Sequence, residues 1–524
     1  MTYKQKTPTE IFNELKNTYK DFAKTKVSFK SDGLNKEFEE ILDDAIYTEP
    51  YIEHIAKYKF TGNSLEKDIK EDLKDNDLYE FLSYKDSLFP QDKNYCLYKH
   101  QKQSLELSNN NKHVIVTSGT GSGKTETFLL PVLQNILKDS EEWDYHGEYT
   151  ETPWKQIDEK SRTMCYQRDG ETRPAAIRAL IMYPLNALVE DQLIRLRKTL
   201  DSDEARKFLK KNRKNNLIYF GRYNSSTPIS GKFDSKEQIE CFKKEINQFE
   251  EDQNAKYHNG VFDEEINGFK YEPKGKYFTP RLDGAEMYSR WDMQKYPPDI
   301  LISNYSMLNI MLMRNIESEM FEKTKEWLNQ NPKHKFQLVL DELHSYRGTA
   351  GTEIAYLLRQ FLNRIGLNPD SEQLQILASS ASLGEDVSES KKFLCEFFGC
   401  KDQNRFEIIT GEIEKPEDEE NQEKRELLDL FYDKKENKYK AFSINDLTQK
   451  SRYSTEELED KIRKTELKIR VHYFFKNFRG LWACSNPNCS EVKDNHKDNN
   501  RRIGKLYTDT TKITIGLYLL TYGI

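Results

Sequence analysis

The stretch that most limits what this chain can fold into is residues 113–125. His113-Val114-Ile115-Val116-Thr117 is a short, unbroken apolar run. It passes straight into Ser118-Gly119-Thr120-Gly121-Ser122-Gly123-Lys124-Thr125, and then into an amphipathic stretch from Phe128 to Leu137. A strand, a glycine-rich loop and a helix in that order commit the chain to an α/β fold whose strand is buried on both faces. The glycines let the backbone wrap closely, so that its N–H groups point inward, and the helix starts with its positive dipole end at the same spot. Such a loop cradles phosphates: Lys124 is placed to reach the outer phosphates and the Thr125 hydroxyl to bind Mg²⁺. The strict pattern has glycine where this chain has Ser118.

Five further apolar runs have strand length: 179–183, 216–220, 299–303, 336–340 and 374–378. Amphipathic stretches such as Glu353 to Ile365 lie between several of them. Alternation of this kind predicts a parallel sheet with helices on its faces. Two intervals, about 140–175 and 225–295, are too long for simple connections and read as insertions. The expected organisation is a helical, charged accessory domain over 1–95, an α/β domain over 96–390, a polar helical linker or domain over 391–480, and a short remainder over 481–524.

The chain has 524 residues, 36% hydrophobic and 32% charged, with a net charge of -7. The overall charge does not advertise nucleic-acid binding, so any such binding must come from donors placed locally in a groove. No apolar run approaches the length needed to span a bilayer, and the start is polar without a signal-peptide core. The expectation is a cytoplasmic protein. Seven cysteines in a chain this long do not make a disulfide framework.

The run 336–340 ends in Asp341-Glu342-Leu343-His344. Acids at the carboxyl end of a parallel strand face the crevice where ligands bind. Downstream of a phosphate loop, Asp341 fits a Mg²⁺-holding role and Glu342 the base that orients and deprotonates an attacking water.

Asp341-Glu342-Leu343-His344 resembles the DExH form of motif II in superfamily 2 DEAD/DEAH-box helicases, and the resemblance runs through most of residues 95–390. Helicase versions of the phosphate loop commonly carry a small residue at the Ser118 position. The resemblance implies one RecA-like lobe that binds ATP and Mg²⁺ through Ser118, Gly119, Thr120, Gly121, Ser122, Gly123, Lys124 and Thr125, with Lys124, Asp341, Glu342 and His344 as the catalytic set. Tyr98-Lys99-His100-Gln101 looks like the entry motif and places Gln101 on adenine. Tyr183-Pro184-Leu185-Asn186-Ala187-Leu188-Val189-Glu190-Asp191-Gln192 looks like motif Ia. Asn304-Tyr305-Ser306-Met307-Leu308 looks like the next strand-touching motif. Ser380-Ala381-Ser382 looks like motif III, usually Ser-Ala-Thr, and implies a coupling role for Ser380 and Ser382. The run His344-Ser345-Tyr346-Arg347-Gly348-Thr349 resembles the cysteine-cluster-bearing bacterial and fungal repair helicases and the large helicases of anti-phage defence islands such as DISARM and Druantia. The partner implied is one nucleic-acid strand, DNA favoured, held at its phosphates by Asn186, Gln192, Asn304, Tyr305 and Arg347. Arg195 and Arg197 either extend this track or form a solvated helix face. Other subunits of a defence or repair system are further partners the resemblance implies; a membrane is not among them.

Cys484 and Cys489 have a knuckle-like spacing with turn residues between them. Structural Zn²⁺ wants four ligands, and His496 is the only later histidine, with no later cysteine. The pair reads as half a zinc site. Cys395 and Cys400 share the spacing but sit among Phe393, Phe397 and Phe398, which fits packed core thiols. No second RecA-like lobe is legible after residue 390, so the expectation is a truncated motor with little unwinding activity by itself. The competing class is a non-catalytic nucleotide-binding subunit that docks a partner through residues 1–95 or the insertions.

Overall fold

A computed structural model describes residues 6–45, 47–84, 87–89, 95–119, 121–147, 157–158, 163–229, 236–258, 265–266, 269–270, 277–281, 283–346, 348–384, 386–476, 480–508 and 517–519. The chain divides into two units, Tyr58–Glu412 and Met1–Lys57 together with Ile413–Ile524.

The larger unit is built on a seven-stranded sheet. Its strands are β1 (His113–Thr117), β2 (Ala179–Tyr183), β3 (Phe220–Tyr223), β4 (Ile300–Asn304), β5 (Phe336–Leu340), β6 (Leu374–Ser380) and β7 (Phe406–Thr410). Their order is β7-β1-β6-β5-β2-β4-β3, and every pairing is parallel. The helices that matter for the site are α1 (Lys99–Asn109), α2 (Lys124–Asp139), α3 (Ala187–Leu200), α4 (Tyr305–Met313), α5 (Gly348–Arg364) and α6 (Val387–Phe398). Strand residues such as Val114, Leu180, Ile302, Leu338 and Ile376 are buried in one core with Leu130 and Leu133 of α2 and Phe361 of α5. Burial on both faces is the physical reason these runs carry no polar alternation.

Two strand limits differ from the expected ones. The run expected at 216–220 enters the ladder only at Phe220, because the Tyr219 N–H is taken by the Asp299 carboxylate at 2.8 Å. Asp299 stands one residue before β4 and receives Arg173 through both oxygens, at 2.8 and 2.9 Å, and Arg178 at 2.7 Å. Arg173 also lies over the Trp143 ring, 3.6 Å from its centroid. Burial alone would raise the Asp299 carboxyl, but Arg173, Arg168 and Arg178 hold it well below the usual carboxylate range. Arg168 and Arg173 of this insertion, with Arg178, thus form a buried ionic anchor around Asp299 at the amino ends of β2 and β4.

The expected limit at 390 also moves. β7 continues the sheet past it, pairing with β1 from Phe406↔His113 to Thr410↔Thr117. As an edge strand it has only two fully buried residues, Phe406 and Ile409, and its Glu407 pairs with Lys391 at 3.2 Å.

The smaller unit corrects the reading of residues 1–95 as one accessory domain and 391–480 as another. Tyr51–His54 forms the middle strand of a three-stranded antiparallel sheet between Phe442–Ser443 and Ile469–His472. Ile52 packs there with Leu427, Phe431, Leu447 and Leu458. Helix Asp32–Ala45 carries Leu34, Phe38 and Leu42 against Leu481, Ala483 and Leu506. Residues far apart in sequence thus share one core. No described helix is long and apolar enough to cross a membrane.

Candidate functional site

The site lies at the carboxyl ends of β1, β5 and β6. Gly121 and Gly123 adopt φ values of +81° and +70°, a backbone region that side chains rarely occupy, and this lets the loop turn back over β1. The loop is braced from several sides. The Ser118 N–H donates to Ser380 O at 3.2 Å, tying it to β6. The Ser118 and Ser122 hydroxyls lie 2.6 Å apart, and Ser122 Oγ donates to Gly119 O at 2.9 Å. His100 Nε2 is 2.8 Å from Ser122 O. Gln101 is buried, accepting the Tyr98 N–H at 2.9 Å and donating to Gly123 O at 3.3 Å. Its carboxamide therefore supports the loop itself. Thr120 lies outside the described residues.

Lys124 opens α2 and pairs with Glu342 across the crevice, Nζ to Oε1 at 3.1 Å. A cation expected to meet phosphate and a carboxylate expected to meet water thus face one another where both reactants would sit. Glu342 has φ +52°, left-handed for a residue with a side chain, which stores backbone strain at the site. His344 Nδ1 accepts the Ala381 N–H at 3.3 Å and lies 3.1 Å from Glu342 Oε2, a contact that becomes an ion pair when the imidazole is protonated. Asp341 and Glu342 are joined to β6 by Ser379, whose hydroxyl donates to Asp341 Oδ1 and accepts the Glu342 N–H at 3.3 Å. Burial pushes the Asp341 carboxyl up, opposed by the Ser379 hydroxyl.

Ser379 was not among the residues expected from sequence. Ser380 and Ser382 were, and Ser380 Oγ instead donates to Ser382 O at 2.9 Å, closing the turn after β6. The signal was the register: β5 and β6 pair Leu340 with Ala378, so the next residues, Asp341 and Ser379, are neighbours. Tyr58 was also missed. Its hydroxyl accepts the Gly119 N–H at 2.7 Å, bracing the loop from a segment with no motif of its own.

The residues expected to meet a nucleic-acid strand fall into two sets. Asn186 and Asn304 meet above adjacent strands, Asn304 Nδ2 donating to Asn186 Oδ1 at 2.6 Å while Asn304 Oδ1 caps α4 through the Met307 N–H at 2.8 Å. Tyr305 is close by in sequence, its hydroxyl donating to Glu353 of α5 at 3.2 Å. Gln192 is half-buried on α3, and its Oε1 has no hydrogen-bond partner among the described residues. Arg347 lies outside the described residues. Arg197 is no part of a basic track: it is buried, pairs with Glu286, and donates to Tyr277 O and Phe278 O at 3.1 and 2.9 Å. Arg195 is exposed but paired with Glu126 in the first turn of α2.

Cys395 and Cys400 are buried, and burial pushes the Cys400 thiol up to about 12, as for packed core thiols. Cys484 and Cys489 flank a turn closed by the Cys489 N–H to Asn486 O at 3.1 Å. His496 contacts Glu40 at 3.0 Å. Among the described residues no group of three His, Cys, Asp or Glu side chains could hold a metal ion.

The DEAD/DEAH box helicase family matches residues 98–221, from the start of α1 through the phosphate loop and the Asn186 motif. The chain carries a DEAD/DEAH box helicase domain. Over 350 residues, 60% of this chain, it is 33% identical to the Druantia protein DruE of Escherichia coli (strain UMEA 4076-1). Over 289 residues, 55% of the chain, it is 24% identical to an uncharacterized ATP-dependent helicase of Methanocaldococcus jannaschii. The chain spans 17% and 26% of the length of these curated relatives. Among solved structures it is similar to the DUF1998 helicase MrfA bound to DNA and AMPPNP, with a TM-score of 0.35, 16% identity, and coverage of 72% of this chain and 33% of that one. The seven-stranded parallel sheet is consistent with the expected RecA-like lobe, with β1 and β5 leading into residues 118–125 and the acidic pair.

Proposed function

We propose that Tyr58–Glu412 is the ATP-binding lobe of a cytoplasmic, nucleic-acid-directed helicase or translocase, of the kind represented by the defence-island helicases. The observation that carries this reading is the Lys124–Glu342 pair across the mouth of the phosphate loop. With His344 Nδ1 3.1 Å from Oε2 of the same Glu342, this proximity supports the catalytic reading of Lys124, Glu342 and His344. ATP would lie with its phosphates on residues 118–125, and Mg²⁺ would be held by Thr125 and, through water, by Asp341. Glu342, freed from Lys124 by the incoming phosphates, orients and deprotonates the attacking water, and His344 links it to the Ala381 turn after β6. Gln101, which donates to Gly123 O at 3.3 Å, is the residue the resemblance places on adenine.

A single strand, DNA favoured, would run across Asn186, Asn304 and Tyr305, held at phosphates and therefore with little sequence preference. In motors of this class a facing lobe supplies arginines to the transition state. The other sheets among the described residues have two or three strands. The 524-residue chain assayed alone is therefore expected to hydrolyse ATP roughly three to five orders of magnitude more slowly than a two-lobed motor. Zinc forms no part of this proposal.

The test is anisotropy of a labelled single-stranded oligonucleotide titrated with the chain, with and without a non-hydrolysable ATP analogue. Binding should respond to the analogue, weaken steeply with salt, and fall about ten-fold in the Asn186→Ala, Asn304→Ala double variant, a loss of about 1.4 kcal/mol. Binding indifferent to both the analogue and the double substitution contradicts the strand path.

A further inference from the structure

Two buried hydroxyls beside the acidic pair have no hydrogen-bond partner among the described residues. Tyr183 ends β2 and is 0% exposed; Tyr346 follows the acidic pair and is 4% exposed. The hydroxyls of both are buried and without a partner among the described residues. Asp341 is a charged neighbour of both. The Asp341 N–H donates to Met182 O at 3.0 Å, which sets Tyr183 next to Asp341 across the β2–β5 pairing. The Tyr346 N–H donates to Leu343 O at 3.0 Å, closing the short turn that follows the acidic pair. Burial raises the pKa of both hydroxyls, and the neighbouring Asp341 charge raises it further.

Buried hydroxyls without partners are rare, and where they adjoin a charged group an ordered water commonly completes them. Phenylalanine would fill the same space without that need. A metal-holding carboxylate also depends on the groups behind it, which fix its orientation and basicity. Ser379 supplies one such contact, to Oδ1 of Asp341.

We propose that Tyr183 and Tyr346 are positioning residues for magnesium: their hydroxyls hold an internal water against the Asp341 carboxylate, and this brace fixes the carboxylate in its ion-holding orientation. The proposal rests on the reading of residues 118–125 as an ATP–Mg²⁺ site. It gives β2 a part in the ATP site as well as in the nucleic-acid side of the lobe, since Tyr183 stands three residues before Asn186. A shift of either ring on strand binding would be felt at Asp341.

The experiment measures binding of a fluorescent ATP analogue to the 524-residue chain at graded Mg²⁺ concentrations and in EDTA. It compares wild type with Tyr183→Phe, Tyr346→Phe and the double variant, and a thermal melt is recorded for each. The expected result is an unchanged affinity in EDTA and a melting temperature near that of wild type. The Mg²⁺ concentration for half-maximal effect rises about ten-fold in the double variant and less in each single one. An unchanged Mg²⁺ requirement in folded variants overturns the proposal, as does an equal loss of affinity in EDTA, which would mark the rings as packing alone. Should the double variant fail to fold, the single variants are read by the same criteria. Failure of the wild type to bind the analogue at all brings down the ATP-site reading itself, an outcome distinct from a site that binds with an unaltered Mg²⁺ requirement.

Discussion

At the scale of single residues, the acidic pair depends on a side chain that no motif names. Ser379 donates to Asp341 and accepts from the Glu342 backbone, so one hydroxyl orients both acids. Ser379→Ala is expected to leave metal-free nucleotide affinity intact while weakening Mg²⁺ binding roughly 10- to 100-fold, the usual effect of losing a partner behind a metal ligand. Titrating Mg²⁺ against a bound fluorescent nucleotide checks this, and a parallel loss in EDTA would count against it. Glu342→Gln is expected to keep nucleotide affinity and, in a two-lobed context, to abolish hydrolysis. Loss of affinity with hydrolysis intact would mark Glu342 as structural. The glycines, Lys124, Asp341 and Glu342 were legible in the sequence because their chemistry demands particular residue types at fixed spacing. Ser379 and Tyr58 were not, because a serine on a buried strand and a tyrosine in an extended segment acquire meaning only from the register and the fold that bring them to the site.

At the scale of elements, the strands were readable where burial on both faces removes polar alternation, as in β1, β2 and β5. They were misjudged at the edges. β7 escaped notice because an edge strand keeps Glu407 within reach of solvent lysines, and the start of β3 was displaced by a carboxylate competing for its first N–H. That carboxylate carries a prediction. Asp299→Asn leaves Arg168, Arg173 and Arg178 buried without their shared anion, and breaking a buried pair in this way costs about 3–5 kcal/mol. Denaturant unfolding should show it as a lower midpoint at unchanged slope; a midpoint shift corresponding to less than about 1 kcal/mol would contradict the anchor. A second carboxyl behaves oppositely. Burial pushes Asp292 up to about 6, although it accepts the Gln167 N–H at 3.0 Å and the Ser289 hydroxyl at 2.8 Å. The folded chain then holds a proton that the unfolded chain releases near pH 4, so this group's contribution to stability falls as pH rises from about 4 to about 6 and is flat above. In Asp292→Asn that part of the pH profile should flatten. A profile equally steep between pH 4 and 6 in the variant would refute the assignment.

At the scale of the whole molecule, sequence reading divided the chain by composition and so split one unit into two. The segments 51–54, 442–443 and 469–472 pair into a single sheet, and strands of two to four residues leave almost no periodic signal. The larger unit was legible because its strands and helices alternate and its motifs fall at the strand ends. Unwinding requires two lobes that close on ATP and reopen after hydrolysis. A strand-displacement assay of the 524-residue chain alone is therefore expected to show no ATP-dependent unwinding, and unwinding by a monomer would refute the one-lobed account. The central claim, that residues 118–125 form an ATP–Mg²⁺ site, is tested most directly by equilibrium binding of a fluorescent ATP analogue to wild type and Lys124→Ala in the presence of Mg²⁺. The account predicts saturable binding to wild type and none measurable to the variant. Equal binding by a folded Lys124→Ala chain would contradict it.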